Sequence, residues 1–383
     1  MSDLQDLEGV VSGEEVKLIN RGIKTQLPTL SLTMIVRDEG EQLPQCLEPI
    51  KDVVDEIIIV DTGSKDKTVE IAKKYTDKVF HYEIPKTFYQ GKEIDDLDFS
   101  VMRNFADSYA TCDWILTLDP DERMKAEYIQ MLKVLIAQQP NIIAYEFTIF
   151  NQYTNRDFSQ HRRYKAYKNH IGAYYQCVLH ETIGDSLIGK GQTALAPIPI
   201  VHLGYRDPVE HKKKSLERNI PILERAVERE PDNYFYLYLG KSYIASGDKA
   251  KAKQYLEESL KYSKKFPGVY LETLFLLGNL AVEEGRLTQG VKYYNQVIAQ
   301  DPHYPDVHFI LGVIHLDRKQ YDTALPYLEH AFKNQNTLKS KINMLKIYFS
   351  NQQVLERLQT AAARCGEFEK ASRYLIQELE GAK

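Results

Sequence analysis

Cysteine is scarce and scattered. The 383 residues hold four, Cys46, Cys112, Cys177 and Cys365, with no CxxC pair. A chain of this length needs no disulfide staples, so they read as reduced thiols and point to the cytoplasm. Long apolar runs are missing: nothing approaches the ~18 consecutive apolar residues of a membrane span. Met1 to Pro28 is polar and acidic, without the basic start and apolar centre of a secretion signal. An excess of positive charge is missing too. With 49 Lys and Arg against 54 Asp and Glu the net charge is −5, which leaves no global attraction for nucleic acid or anionic lipid. No GxGxxG follows the first apolar run and no GxxxxGK[ST] occurs, which removes the main supports for a dinucleotide oxidoreductase and a P-loop NTPase. His180-Glu181 does not open a zinc-protease motif, because Gly184 stands where the second histidine belongs.

What is present suffices for packed domains. Hydrophobic residues make up 43% and aromatics 11%, which excludes full disorder, and at ~150 residues per domain the length predicts two or three. From Leu30 to Tyr153, short β-rich runs (LSLTMIV, EIIIVD, KVFHYEI, WILTLD, AYEFTIF) alternate with segments of helical period, the pattern of βα units and a parallel sheet. Leu43, Cys46, Leu47 and Ile50 place one stripe on a helix, Ser64 is the expected cap of the next, Phe99 to Tyr109 form a third and Ile129 to Leu135 a fourth. From Arg206 onward the period is helical throughout, opening on Asp207-Pro208-Val209-Glu210 as a capping box. Leu239-Gly240, Leu277-Gly278 and Leu311-Gly312 each precede a second amphipathic segment, and Ala252, Gly290 and Ala324 follow at a matching offset. This spacing resembles the tetratricopeptide repeat, with a weaker copy from Leu355 to Leu375 and a half copy from Ile222 to Pro231. The expected organisation is an N-terminal extension, 1–28, an α/β domain, 29–206, and an all-α repeat solenoid, 207–383.

In an open parallel sheet, ligands sit beyond the carboxyl ends of the strands. Three runs end in polar clusters: Arg37-Asp38-Glu39, Asp61-Thr62-Gly63-Ser64 and Asp119-Pro120-Asp121-Glu122. Acids crowded on one rim repel unless a cation or a hydrogen-bond donor sits among them, and an Asp-x-Asp step after a buried strand suits Mg²⁺ or Mn²⁺. Asp121 is the expected direct ligand, with Asp119 on a ribose hydroxyl or a metal-bound water. His202, after PIPIV, is a second metal ligand or a histidine packed at a domain junction. Glu181 is a general base or a strand-end carboxylate in a salt bridge. The run His211 to Lys214 reads as a solvated helix face.

The segments SLTMIVRDEGEQLPQCLEPIKDVVDEIIIVDTGSKDKTVEIA, FSVMRNFA and DWILTLDPDE resemble a family 2 glycosyltransferase of the GT-A fold over about Leu30 to Tyr205. The resemblance implies a UDP-sugar donor, with Arg37, Glu39, Asp61, Arg103 and Asp119 around the nucleotide sugar and Asp121 with His202 on Mn²⁺ or Mg²⁺. In combination with repeats it is similar to a bacterial subgroup that contains the sublancin peptide S-glycosyltransferase, in which a His-Glu pair and a later His before Gly-Tyr recur; here these are His180-Glu181 and His202-Leu203-Gly204-Tyr205. Pro120 between the aspartates and the insertion Gly91 to Leu97 depart from the usual pattern.

Repeat solenoids of this kind usually hold an extended peptide, so a peptide or protein acceptor is expected, with Tyr234 and Lys241 in its groove and Tyr236 and Tyr243 filling space between helices. A glycan or lipid-linked acceptor stays open, as does an adaptor with a spent transferase domain. A homodimer is compatible with the sequence. No nucleic-acid partner and no membrane span are expected.

Overall fold

The computed structural model of the protein describes residues 27–152, 158–204, 208–262, 267–334 and 351–381. Nearly all of the expected N-terminal extension, and with it Tyr205 and the capping residue Asp207, lies outside these. The chain forms two compact units, residues 1–153 with 162–207 and residues 154–161 with 208–383.

The first unit is built on an eight-stranded, mostly parallel sheet. Its elements in chain order are β1 (Leu30–Val36), α1 (Gln42–Leu47), β2 (Glu56–Asp61), α2 (Thr68–Ala72), β3 (Val79–His81), β4 (Lys86–Tyr89), β5 (Lys92–Asp95), α3 (Phe99–Asp107), β6 (Trp114–Thr117), β7 (Glu122–Arg123), α4 (Ala126–Gln138), β8 (Ile142–Gln152), β9 (Phe158–Lys168) and β10 (Gln192–His202). The strand order is β3-β2-β1-β6-β9-β8-β10-β7, and β4 and β5 form a separate hairpin over part of the insertion. β1 runs parallel to β2 and β6, while β9 is antiparallel to β6 and β7 antiparallel to β10. Alternate residues of the central strands face opposite layers. Leu32, Met34, Ile57 and Ile59 pack with Leu43 and Leu47 of α1 and Ile129 and Leu132 of α4. Ile35 and Val60 pack with Met102 and Ala106 of α3 on the other side. Burial on both faces is why these strands read as unbroken apolar runs.

The expected cap at Ser64 is corrected. Helix α2 starts at Thr68 with Lys67 at its N-cap and no side chain capping it, while Asp66 closes the preceding turn by accepting from the Thr68 amide at 2.9 Å. Ser64 instead accepts from the Asp38 amide through its hydroxyl, at 2.9 Å, and gives its own amide to Asp61. Strand β9 and most of β10 lie outside the expected β-rich runs, and PIPIV forms the end of β10 before His202.

The second unit is helical: α5 (Pro208–Lys214), a π-turn at Ser215–Asn219, α6 (Ile220–Arg229), α7 (Asn233–Ser246), α8 (Lys249–Lys261), α9 (Pro267–Glu283), α10 (Leu287–Gln300), α11 (Pro305–Asp317), α12 (Tyr321–Asn334), α13 (Asn351–Arg364) and α14 (Phe368–Gly381). Each expected Leu-Gly step lies on the first helix of a pair, and the glycine is where the second helix presses closest. A Cβ at Gly240 would come within 2.7 Å of Leu256, one at Gly312 within 2.7 Å of Leu328, and one at Gly278 within 2.4 Å of the Tyr294 ring. Tyr294 is itself 1% exposed, so its ring has nowhere to retreat.

Two outcomes follow from this packing. Gly278→Ala should destabilise the repeat unit by ~1–3 kcal/mol, the usual range for overpacking, read as a lower denaturant midpoint. At the opposite rim, Glu56 ties β1 and β2 to the α3–β6 connection: it accepts from the Ser31 hydroxyl and the Thr111 amide and hydroxyl and pairs with Lys78. Burial works against its charge, but Lys78, Ser31 and Thr111 outweigh burial and hold the carboxyl down at about 2. A depressed carboxyl contributes stability that is complete above its unfolded value of 4.5 and is lost as pH falls towards 2. Glu56→Gln should therefore flatten the acid limb of the stability curve across that window.

Candidate active site

β1, β2 and β6 run parallel, so their carboxyl ends share one rim, and the three polar clusters meet there. Asp119 lies just beyond β6. Its main chain closes a tight turn, in which the Glu122 amide donates to the Asp119 carbonyl and the Asp119 amide donates to the Glu122 carboxylate, both at 2.9 Å. Arg123 locks the turn from beneath by donating to the Pro120 carbonyl at 2.7 Å. Pairing of β7 with β10 sets His202 opposite Glu122, and this brings the His202 Nε2 to 3.2 Å from Asp121 Oδ2. The other ring nitrogen, Nδ1, meets Asn151 Oδ1 of β8 at 2.8 Å.

Arg103 of α3 is 6% exposed and bridges two carboxylates. Its Nε donates to Glu181 and its Nη2 to Asp119, both at 2.5 Å, and its guanidinium lies 5.7 Å from the centre of the Tyr175 ring. Nη1 is buried and has no hydrogen-bond partner among the described residues. A lysine does enter the acidic cluster: Lys165 of β9 lies 2.7 Å from Glu122 and 3.7 Å from Asp119. It sits on these two and leaves Asp121 to His202.

Burial opposes charge throughout, and the partners decide each outcome. Asp119, partly exposed at the rim, is held well below the usual carboxylate range by Arg103 and Lys165. Arg103 is buried, yet Asp119 and Glu181 push its proton affinity up. Glu122 goes the other way: burial, reinforced by neighbouring Asp119, raises it in spite of Lys165. His202 is raised because Asp121 outweighs the cost of burying the imidazolium.

Asp121 and His202 are therefore together, as expected for a metal pair. Among the described residues no three His, Cys, Asp or Glu side chains converge as a complete metal cage. The pair nonetheless fits a divalent ion that takes its remaining ligands from water and phosphate oxygens. With Asn151 accepting from Nδ1, a neutral His202 turns its Nε2 lone pair towards a carboxylate oxygen, an arrangement that calls for a proton or a cation between them. The space is also kept clear, since a Cβ at Gly204 would come within 2.5 Å of Asp121 Oδ2 and 2.8 Å of His202 Nε2.

The remaining expected residues lie as follows. Glu181 is in the bridge expected of a salt-bridged carboxylate, on Arg103, with its carbonyl accepting from Arg163 at 2.8 Å. Asp61 is on the rim and 5% exposed, and its carboxylate accepts from the Gly63 and Ser64 amides at 3.1 and 3.2 Å, with His81 at 3.4 Å. Gly63 has φ +101°, so the Asp61 turn needs a glycine. Arg37 turns to Asp95 of the hairpin at 2.7 Å. Glu39 fixes the start of α1 through its main chain: its amide donates to the Thr68 hydroxyl at 2.8 Å and its carbonyl accepts from Gln42 and Leu43. In the repeat unit, the groove expectation for Tyr234 is corrected, since it is 4% exposed with its ring 4.6 Å from Tyr238. Lys241 is engaged by Glu272 at 2.5 Å and sits 4.8 Å above the Tyr238 ring. Tyr243 is buried, and Tyr236 stacks on Tyr262 and Tyr255.

Residues the sequence did not single out are Lys165 and Asn151, and Gly204 stood there only as the glycine of the His202-Leu203-Gly204-Tyr205 motif. Asn151 directly follows the apolar run AYEFTIF and Gly204 lies two residues after His202, so both had a positional signal. Lys165 stands in a polar stretch that carries none. Cys46 of α1 lies under the turn with its Sγ 3.7 Å from the Asp119 carbonyl, and burial pushes its thiol far up.

Known proteins match both parts of the chain. The family model described as glycosyl transferase family 2 matches residues 31–188, and tetratricopeptide-repeat models match residues 235–266 and 275–335. A TPR repeat-containing protein of Synechococcus elongatus is 33% identical over 310 residues, which is 78% of this chain and 73% of that protein. The SPbeta prophage-derived glycosyltransferase SunS of Bacillus subtilis is 25% identical over 357 residues, 91% of this chain and 79% of that protein. An uncharacterized glycosyltransferase of Rickettsia felis is 27% identical over 165 residues, 42% of this chain and 54% of that protein. With the transferase sheet, its acidic rim and the repeats all accounted for, the chain belongs to the family 2 glycosyltransferases, in the form that carries tetratricopeptide repeats behind the transferase domain.

Proposed function

We propose that the protein is a metal-dependent inverting glycosyltransferase that moves a sugar from a UDP-sugar to a side chain of a peptide or protein held by its repeats. The observation that carries this reading is the Asp121–His202 pair around the space that Gly204 keeps open. These two residues would hold Mn²⁺ or Mg²⁺, which when bound supplies positive charge to the diphosphate leaving group. Asp119, anchored on Arg103, stays ionised and presents an acceptor to a ribose hydroxyl or a bound water. Glu181 takes the proton from the acceptor as its nucleophile bonds to the sugar C1 and the bond from C1 to the diphosphate oxygen breaks. UDP departs, and a single displacement inverts the anomeric centre. Arg103 keeps Glu181 aimed. Arg37, Glu39 and Asp61 would border the nucleotide.

The acceptor reading rests on the repeats and on likeness to a glycosyltransferase family in which such repeats occur; SunS is similar along most of the chain. Four cysteines without a disulfide suit a reducing compartment, the cytoplasm. No helix among the described residues is long and apolar enough to cross a membrane.

Calorimetric titration with UDP tests the donor site. The wild type should bind UDP more tightly with Mn²⁺ than without, and Asp121→Ala should lose that metal-dependent gain, tenfold or more, which is about 1.4 kcal/mol or greater. Metal-independent or absent UDP binding would favour an adaptor with a spent site. Separately, Glu181→Gln should retain UDP binding and lose roughly 10²- to 10⁴-fold in transfer to candidate peptides, the range for removing a general base, followed by mass spectrometry across a panel of UDP-sugars.

A further inference from the structure

One turn of α3 holds Tyr175 at three points. Arg103 lies over its ring. Asn104 clamps its main chain, accepting from the Tyr175 amide at 2.7 Å and donating to its carbonyl at 2.9 Å. Asp107 reaches its hydroxyl through a chain: Tyr175 OH donates to Thr117 Oγ1 at 3.1 Å, Thr117 and Thr33 are 3.2 Å apart, and Thr33 donates to Asp107 Oδ1 at 2.9 Å. The other Asp107 oxygen accepts from Tyr167. An ionised carboxylate only accepts, so Thr33 spends its proton on Asp107 and can only accept at its contact with Thr117, which in turn accepts from Tyr175 and also meets the Tyr167 hydroxyl. The whole chain points one way, and Asp107 sets the direction.

Tyr175 begins the loop that carries Glu181. Gln176 and Thr182 close the loop through reciprocal main-chain hydrogen bonds of 2.9 and 3.1 Å. Inside it Cys177 and His180 have φ of +73° and +57°, conformations that side-chain-bearing residues keep only when their surroundings enforce them. The loop is therefore under strain and depends on its anchors, and Tyr175 is the anchor on the sheet side.

We propose that Asp107 is a positioning residue for transfer: by polarising the Thr33–Thr117–Tyr175 chain it fixes the platform under Arg103 and the start of the loop, and so holds Glu181 in place. Asp107 touches neither donor nor acceptor in this scheme. Burial pushes its carboxyl up to about 6, against the opposing pull of Tyr167 on β9, Thr33 on β1 and Arg103 on α3, so it is ionised and accept-only at pH 7.5. In Asp107→Asn the amide nitrogen must face one of two donors. Where that nitrogen faces Thr33, Thr33 can turn round, Thr117 follows, and Tyr175 no longer has Thr117 as its acceptor. The assignment of Glu181 as base rests on the transferase reading; its placement by Asp107 does not.

Hydrogen exchange on the full chain at pH 7.5, resolved by peptide and without any ligand, decides the matter. Asp107→Asn and Tyr175→Phe should each speed exchange at the Gln176 and Thr182 amides tenfold or more, with β1 and β2 unchanged, and the double variant should go no further than Tyr175→Phe alone. Unchanged exchange in the loop, equal acceleration throughout the unit, or additive effects in the double variant would overturn the proposal. If Asp107→Asn does not fold, Thr117→Val breaks the chain at its middle link and carries the same expectations. UDP titration with Mn²⁺ on the same samples keeps the two questions apart: a wild type that fails to bind UDP counts against the transferase reading, while the exchange result still judges the role of Asp107.

Discussion

A single buried guanidinium holds the site together. Arg103 comes from a helix, Asp119 from the end of a central strand and Glu181 from a distant loop, and without the cation between them the two carboxylates would be left facing each other. Removing one partner of such a buried arrangement typically costs ~3–5 kcal/mol, because the others are left uncompensated. The same interaction that assembles the rim also holds Asp119 well below the usual carboxylate range. Lys165 repeats the device one step deeper, on Glu122.

Much of this was legible in the residues themselves, and what was not shares a physical reason. β1, β2 and β6 are buried on both faces, so their β-branched runs announce them, and the acids that terminate them necessarily share a rim. β9 runs FSQHRRYKAYK, a strand whose polar side chains find their partners far away in sequence, Glu122 for Lys165 and Asp107 for Tyr167. No local period reveals such pairings. Asp107 and Tyr175 were invisible for the same reason: each looks like an ordinary helix or loop residue until β1 and β6 bring Thr33 and Thr117 side by side.

The repeat unit gives the converse lesson. Its glycines were readable because close helix approach leaves only one residue type possible, and Gly240, Gly278 and Gly312 all lie where a methyl group would strike the facing helix. Tyr234 misled because α7 is apolar nearly all round, with nine of its residues buried, and a helix wrapped on every side offers no clear outer face from which to read a groove.

Cys46 lies one contact away from the Asp119 turn, and its burial carries a consequence for the chemistry next door. A sulfur atom competes for a divalent ion, or attacks an activated carbon, only once it has shed its proton. Packed among leucines beneath a ring of acids, this one keeps its hydrogen.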